Sequence, residues 1–326
     1  SIKLINFGGS IDVSDIAKSK IELFFIGSCF AENMGKRLDD LSLKLLNQPF
    51  GTQFNPIRIL KALAFEPLKI TDLYAEGDFY LHPDFHSNFI SQNPDGLMEE
   101  IHAKQEETKA FLNQADTLVL TFGTAYFYHD NILNRPIANC HKQASQRFAK
   151  HMNQVSEITE AYRAFIKSHP QLHLILTVSP VRHTRDGMME NSVSKASLRL
   201  AAHEIAQEFP GQVTYFPAFE IMMDELRDYR FYEKDLIHPN EIAVDYIWQK
   251  FKETYFSSEL VALDVAWERI IATLHHRPHP TKRHLHIANL EKIKEELASQ
   301  FPGVDYSKLA EKLAAEILSL KASLGS

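Results

Sequence analysis

The chain has 326 residues, of which 44% are hydrophobic and 24% charged, and its formal net charge is −7. That length suits one α/β domain of about 250 residues with an appendage, and the negative balance weighs against nucleic acid or an anionic membrane as a partner. Two cysteines, Cys29 and Cys140, exclude a disulfide scaffold, and no apolar run reaches the roughly eighteen residues of a membrane span.

Residues 1–20 read as a lead-in, with Ile2 and Leu4 packing at an edge. No basic segment followed by an apolar stretch marks a signal peptide, so a cytoplasmic location is expected, with Ser1 as first residue leaving a removed leader open. Ile21 to Ile26 form an apolar, aromatic run, the pattern of a strand buried on both faces. Gly27 then permits a tight turn, and Met34, Leu38, Leu41 and Leu45 fall at helical spacing. Ser28 and Cys29 therefore sit beside free backbone N–H groups at a helix N-terminus. The simpler reading of the same residues is a small-residue turn with a buried thiol.

Leu43 to Leu46 suggest a second strand, and Pro49, Gly51 and Pro56 make 47–56 a loop. Gly51 is a candidate for close approach of a ligand, because open α/β sheets place their sites at loops after strands. A helix is expected over 57–65. Between 77 and 94 come Tyr80, His82, Asp84, Phe85, His86, Ser87 and Asn88. Pro83 disfavours the helix that would bring His82 and His86 together on a metal, so a substrate-lining or hydrogen-bonding role is the better expectation. A helix over 97–113 delivers the chain to Thr117–Thr124, a central-strand pattern that ends in Gly123-Thr124. Asn139-Cys140-His141-Lys142 lacks zinc spacing and reads equally as a pocket loop or a structural cysteine.

A helix over 157–168 and a strand over 172–178 follow. Arg182 and His183, just past that strand, suit orientation of an anion or substrate. A helix over 192–208 turns Leu198, Leu200, Ala201 and Ile205 inward, and Val213 to Phe216 form the last strand. The mixed charges of 219–231 are the pattern of a solvated helix. Asp235 and His238 then stand three apart, just before Asn240, an N-cap candidate for a helix with Ile242, Ile247, Trp248 and Phe251. The main domain is expected over 1–256. Residues 257–326 read as a helical extension: a helix over 258–274, a basic histidine- and proline-rich linker, then amphipathic helices over 287–301 and 306–324. These are expected to pack on the main domain or on a second subunit, or to dock a partner protein. The linker histidines show no fixed ligand spacing, so no metal and no cofactor is expected.

The literal Gly-Ser-Cys-Phe-Ala at 27–31 resembles the signature of the GSCFA family, grouped with the SGNH (GDSL-like) hydrolases. The resemblance runs from about Ile21 to Phe251 and includes the His86-Ser87 pair and the late Asp235-x-x-His238. It implies a three-layer α/β/α sandwich with a parallel sheet. It also implies an esterase-like hydrolase or acyltransferase acting on an ester or thioester of a small or glycan-linked acyl substrate. In that scheme His238 takes the nucleophile's proton and Asp235 orients the imidazole. Setting Gly27 on the glycine of Gly-Asp-Ser-Leu selects Cys29 as nucleophile, and a one-residue shift would select Ser28. Backbone N–H groups near Cys29 and Gly51 would receive the oxyanion. Gly123, Thr124, Arg182, His183 and His86 join Gly51 as oxyanion or substrate-binding candidates. The sequence departs from the superfamily's Gly-x-Asn at Ala125, whose methyl donates no hydrogen bond. That departure supports the alternative, a binding protein on a degenerated SGNH scaffold.

Overall fold

The structure, a computed structural model, describes residues 22–36, 44–256, 258–300 and 307–322. The lead-in with Ile2 and Leu4, and the positions Leu38 and Leu41, lie outside the described residues. Two units divide between Lys250 and Phe251.

The first unit is built on a sheet of β1 (Glu22–Gly27), β2 (Lys44–Asn47), β6 (Thr117–Phe122), β10 (His173–Val178) and β11 (Val213–Phe216), in the order β11-β10-β6-β1-β2. The pairs β1–β6, β6–β10 and β10–β11 are parallel. Phe24, Phe25 and Ile26 are fully buried, as are Leu118, Leu120 and Phe122 in β6 and Leu174, Leu176 and Val178 in β10. Continuous apolar runs of this kind satisfy a strand covered on both faces. Helices α1 (Cys29–Lys36), α2 (Pro56–Ala62), α3 (Pro94–Gln114), α4 (Val155–Ser168) and α5 (Met188–Glu208) supply the cover, in the alternation that parallel strands require. Because the strands run the same way, Gly27, Phe122, Val178 and Phe216 all end at one edge.

Two small antiparallel sheets lie in stretches to which the sequence reading assigns no strands. One is β3 (Tyr74–Glu76), β4 (Phe79–Leu81) and β5 (Ile90–Ser91); the other is β7 (Tyr126–Asp130), β8 (Arg135–Ile137) and β9 (Phe148–Met152). Their strands are too short for a clear period-two pattern. A buried network joins them: the Tyr74 hydroxyl donates to Asp130 Oδ2 at 2.6 Å, and Arg147 pairs with the same oxygen at 2.7 Å while lying over the Tyr74 ring. Burial and the neighbouring carboxylate push the Tyr74 phenol far above its ordinary pKa.

Three expectations are corrected. Leu45 belongs to β2 rather than to the helix after Cys29. Leu200 on α5 is 54% exposed, because the buried stripe runs through Asn191, Ser194, Lys195, Leu198, Ala201, Ala202 and Ile205. Residues 219–231 form short helical turns, and Glu220 accepts hydrogen bonds from Arg199 Nε and the Tyr215 hydroxyl rather than facing solvent alone.

α6 (Glu241–Tyr255) begins at Asn240, whose Oδ1 accepts from the Ala243 N–H at 3.1 Å. The described second unit comprises the end of α6 from Phe251, with α7 (Ser258–His275), α8 (Arg283–Gln300) and α9 (Ser307–Ala322). Its apolar interior includes Leu263, Trp267, Leu290, Leu309 and Leu313, with a buried Lys252–Asp264 ion pair. The linker is shorter than expected, since α8 starts at Arg283. No helix among the described residues is long and apolar enough to cross a membrane.

Gly27 closes the central ladder. Its φ is +139°, and a Cβ there would lie 2.2 Å from the Thr121 carbonyl oxygen. Gly77 also has positive φ, yet a Cβ there would meet nothing within 4 Å. Gly27→Ala is expected to cost roughly 3 kcal/mol in urea unfolding, against about 1 kcal/mol for Gly77→Ala. Equal losses would refute the steric account.

Candidate active site

The turn after β1 is tied down almost entirely through its backbone. The Ser28 N–H donates to the Thr121 carbonyl at 3.1 Å, and the Gln53 N–H to the Gly27 carbonyl at 2.8 Å. Gln48 adds a side-chain clamp: its Oε1 accepts from the Gly27 N–H at 3.1 Å, and its Nε2 donates to the Ser28 carbonyl at 2.9 Å. Ser28 is fully buried, and its Oγ accepts from the Phe30 N–H at 3.3 Å. It therefore acts as a cap for α1. Cys29 is the first residue of that helix; its side chain lies outside the described part.

At the next strand, the N–H groups of Gly123 and Thr124 both donate to the Phe54 carbonyl, at 2.8 and 3.0 Å. The Gly51 N–H donates to the Gln48 carbonyl at 2.8 Å. All three candidate oxyanion amides are thus engaged by the protein itself. Gly123 owes its identity to close approach, since a Cβ there would sit 3.1 Å from Phe54 O and 3.2 Å from His183 Nε2. Gly51, at φ +71°, would place a Cβ 2.2 Å from that of His86. His86 donates its N–H to the Phe50 carbonyl and turns Nδ1 to the Asn88 N–H, so it shapes the 50–54 loop.

Asp235 and His238 come together. His238 Nδ1 donates to Asp235 Oδ2 at 2.7 Å, and Asp235 Oδ1 accepts from the N–H groups of Ile237 and His238 at 2.8 and 3.1 Å. Leu236 takes a positive φ of 59° inside this loop, a conformation unfavourable for a branched apolar residue. Arg182 holds the loop against the segment leaving β10. Its N–H donates to the Ile237 carbonyl at 3.2 Å, its Nη1 to the Leu236 carbonyl at 3.0 Å, and its guanidinium stacks 4.1 Å from the Tyr232 ring centre. Arg182 is therefore a brace for the Asp–His loop. His183 anchors through its N–H on Asn191 Oδ1 at 2.8 Å and meets the Phe54 ring edge-on at 5.2 Å.

Four polar residues that the sequence reading missed organise this edge. Asn55 caps α2 through the N–H groups of Ile57 and Arg58 and donates to the Ala125 carbonyl and Asn153 Oδ1. Ser194 Oγ accepts from the Ala125 N–H at 2.8 Å. Buried Lys195 donates to the carbonyls of Gly123 and Ser179, each at 2.7 Å. Gln48 is described above. The available signal was the helical register: Ser194 and Lys195 fall on the same stripe as Leu198, Ala201 and Ala202. The Asn139–Lys142 loop instead packs on the 82–85 segment, with Asn139 Nδ2 donating to the Phe85 carbonyl and His141 Nε2 to the His82 carbonyl. Burial pushes the Cys140 thiol pKa up, away from reactivity. No three His, Cys, Asp or Glu side chains converge as metal ligands among the described residues.

Fold and site together define an α/β protein whose central parallel sheet carries a Ser-Cys turn after β1, with a loop holding an Asp–His pair bonded to the segment after β10. The model of the GSCFA family matches residues 22–251, and the chain belongs to that family. No curated protein matches the sequence. A solved structure from Streptococcus pneumonia, assigned provisionally as a platelet activating factor, is similar at 14% identity and a TM-score of 0.37, covering 74% of this chain and 89% of that one.

Hydrogen bonds from His238 first, then from two backbone N–H groups, hold the Asp235 carboxyl down at about 2. A depressed carboxylate adds stability above its ordinary pKa and loses it as pH falls through the folded value. Carboxyl NMR should therefore find Asp235 titrating near 2 in the native chain. His238→Ala should raise that midpoint toward the ordinary value of about 3.9. An unchanged midpoint would break the pair.

Proposed function

We propose that the chain is a hydrolase or acyltransferase acting on an ester or thioester bond, built on an SGNH-like three-layer scaffold. The observation that carries this reading is the Asp235–His238 pair, 2.7 Å apart and braced to the segment after β10. Asp235 accepts the hydrogen bond from Nδ1–H, which keeps that proton on Nδ1 and leaves Nε2 as the base. His238 is about half exposed on its side chain, so a substrate can reach it. Strand β6 alone separates β1 from β10, a span on the order of 10 Å at two ladder spacings.

Cys29 is the nucleophile in this reading. Ser28 is buried and committed to the helix cap, and the first position of a helix lowers a thiol pKa. His238 Nε2 removes the thiol proton, and the thiolate sulfur bonds to the acyl carbon. The carbon–oxygen or carbon–sulfur bond to the leaving group then breaks, and His238 returns the proton to it. Water or an acceptor alcohol reverses these steps on the acyl-cysteine. With the amides of Gly51, Gly123 and Thr124 engaged, the Cys29 amide is the donor assigned to the oxyanion. Losing one of two donors costs on the order of 10²–10³ in rate, so slow turnover is expected. The occupied Gly123 and Thr124 amides are also what favours the second reading, a non-catalytic binding protein.

On a panel of p-nitrophenyl esters and thioesters, Cys29→Ala and His238→Ala are each expected to lower kcat/KM by roughly 10³ or more, and Ser28→Ala by less than about tenfold. Iodoacetamide should label Cys29 with a pH midpoint below about 8.5. Full activity in Cys29→Ala with loss in Ser28→Ala would transfer the role to Ser28. Ligand-induced thermal stabilisation without turnover would favour the binding protein.

A further inference from the structure

A cavity of about 370 Å³ lies against α2, the 66–72 segment and Pro136, and its lining contains none of the residues assigned to catalysis. Small-ligand sites typically occupy about 300–1,000 Å³, with apolar walls and a few convergent polar groups. Ala62, Leu68 and Pro136, each half-buried, give this lining its apolar part.

The polar anchor is Arg58, a half-buried guanidinium carried by α2. Its Nη1 donates to the Pro136 carbonyl at 3.1 Å. Among the described residues Nε and Nη2 have no protein acceptor, and neither is sealed from solvent. Those two nitrogens form the side of the guanidinium that offers parallel N–H groups to one carboxylate. Arg163 shows the pairing in this same chain, its Nε and Nη2 donating to the two carboxylate oxygens of Glu208 at 2.5 and 2.8 Å. Arg58 presents the same fork with no carboxylate on it. Burial pushes its guanidinium below the ordinary pKa, a cost that a bound anion offsets.

The carboxylates nearby are spent elsewhere. Asp72 and Asp84 both pair with Arg135, at 2.8 and 2.7 Å, and Glu66 pairs with Lys61 at 2.7 Å. Lys69, also in the lining, has no carboxylate within ion-pair distance among the described residues. Arg135 with its two aspartates carries one net negative charge, the Lys61–Glu66 pair none, and Arg58 and Lys69 one positive charge each. Burial lowers the His82 pKa to about 4, so that ring is neutral at physiological pH. The lining therefore keeps one net positive charge. That balance fits a monoanion, and the two aspartates repel a dianion.

We propose that this cavity binds a small monocarboxylate, its two oxygens on Arg58 Nε and Nη2 and its short apolar body against Ala62, Leu68 and Pro136. The planar carboxylate matches the fork in shape, and its single charge matches the balance of the lining. The body gains from leaving water on the apolar wall.

Isothermal titration calorimetry on the full chain at pH 7 tests this, with butyrate and benzoate as probes. Butyramide and benzamide keep the body without the charge, acetate keeps the charge without the body, and inorganic phosphate adds a second charge. Saturable binding of at least one probe is expected, with its amide silent and acetate and phosphate each at least about tenfold weaker. Arg58→Met should weaken binding at least about tenfold, and Arg58→Lys, which keeps the charge and loses the fork, should fall between. Because Arg58 also bonds the Pro136 carbonyl, a second variant leaves it in place. Ala62→Glu sets a carboxylate one helical turn from Arg58 and should abolish probe binding in a chain that stays folded by circular dichroism. Cys29→Ala and His238→Ala should bind as the parent does, which separates this site from the proposed chemistry. No saturable binding by either probe, an amide or phosphate binding as tightly, unchanged binding in Arg58→Met or Ala62→Glu, or its loss in Cys29→Ala would each overturn the assignment.

Discussion

The carboxyl edge of the sheet depends on the buried ammonium of Lys195. It donates to the carbonyls of Gly123 and Ser179 at 2.7 Å each, the first residues beyond β6 and β10 in their respective loops. Taking an ammonium out of water costs several kcal/mol, which only well-placed acceptors offset. The lysine therefore ties together the loops that follow β6 and β10. From the first hang Thr124 and Ala125, held by Ser194 and Asn55. From the second hang Arg182 and His183, and through Arg182 the Asp235–His238 loop.

Most of the remaining order at the edge comes from backbone groups satisfying one another. Phe54 O accepts two N–H groups from the β6 loop, while Gln48 and Gln53 bind the carbonyls around Gly27 and Ser28. This density of bonds explains why glycine stands at 27, 51 and 123, where an added Cβ would strike backbone or a histidine. Positive φ at Gln48 and Leu236 marks the two loops that face this region. Such conformations persist only where their surroundings over-determine them, and here they meet the clamp on one side and the Asp–His pair on the other.

The 50–55 segment links this edge to the 82–86 turn. Phe50 O receives the His86 N–H, and Gln53 Nε2 donates to the Asp84 carbonyl. The turn that carries His82 and Asp84 is thus anchored on the same loop whose other contacts reach Gly27 and Gly123. Asn55 closes the circuit by capping α2, the helix that carries Arg58.

The parallel sheet was legible in the sequence because runs such as Leu118–Phe122 and Leu174–Val178 are apolar on both faces, and only a doubly covered strand tolerates that. The Ser-Cys turn was legible from Gly27 followed by helical spacing. Asp235 and His238 were legible as a pair because three residues of chain already bring their side chains within reach. By contrast, the short strands of 74–91 and 126–152 were not, since their pairing partners lie far off in sequence and their patterns are too brief. The use made of each polar group was likewise a tertiary decision. Arg182 reads as an anion binder and proves to be a brace, and the Gly123 and Thr124 amides read as open donors and prove to be filled by Phe54. Local sequence determines what a residue can donate or accept; which partner reaches it first depends on chain segments tens of residues away, and only the folded structure decides that.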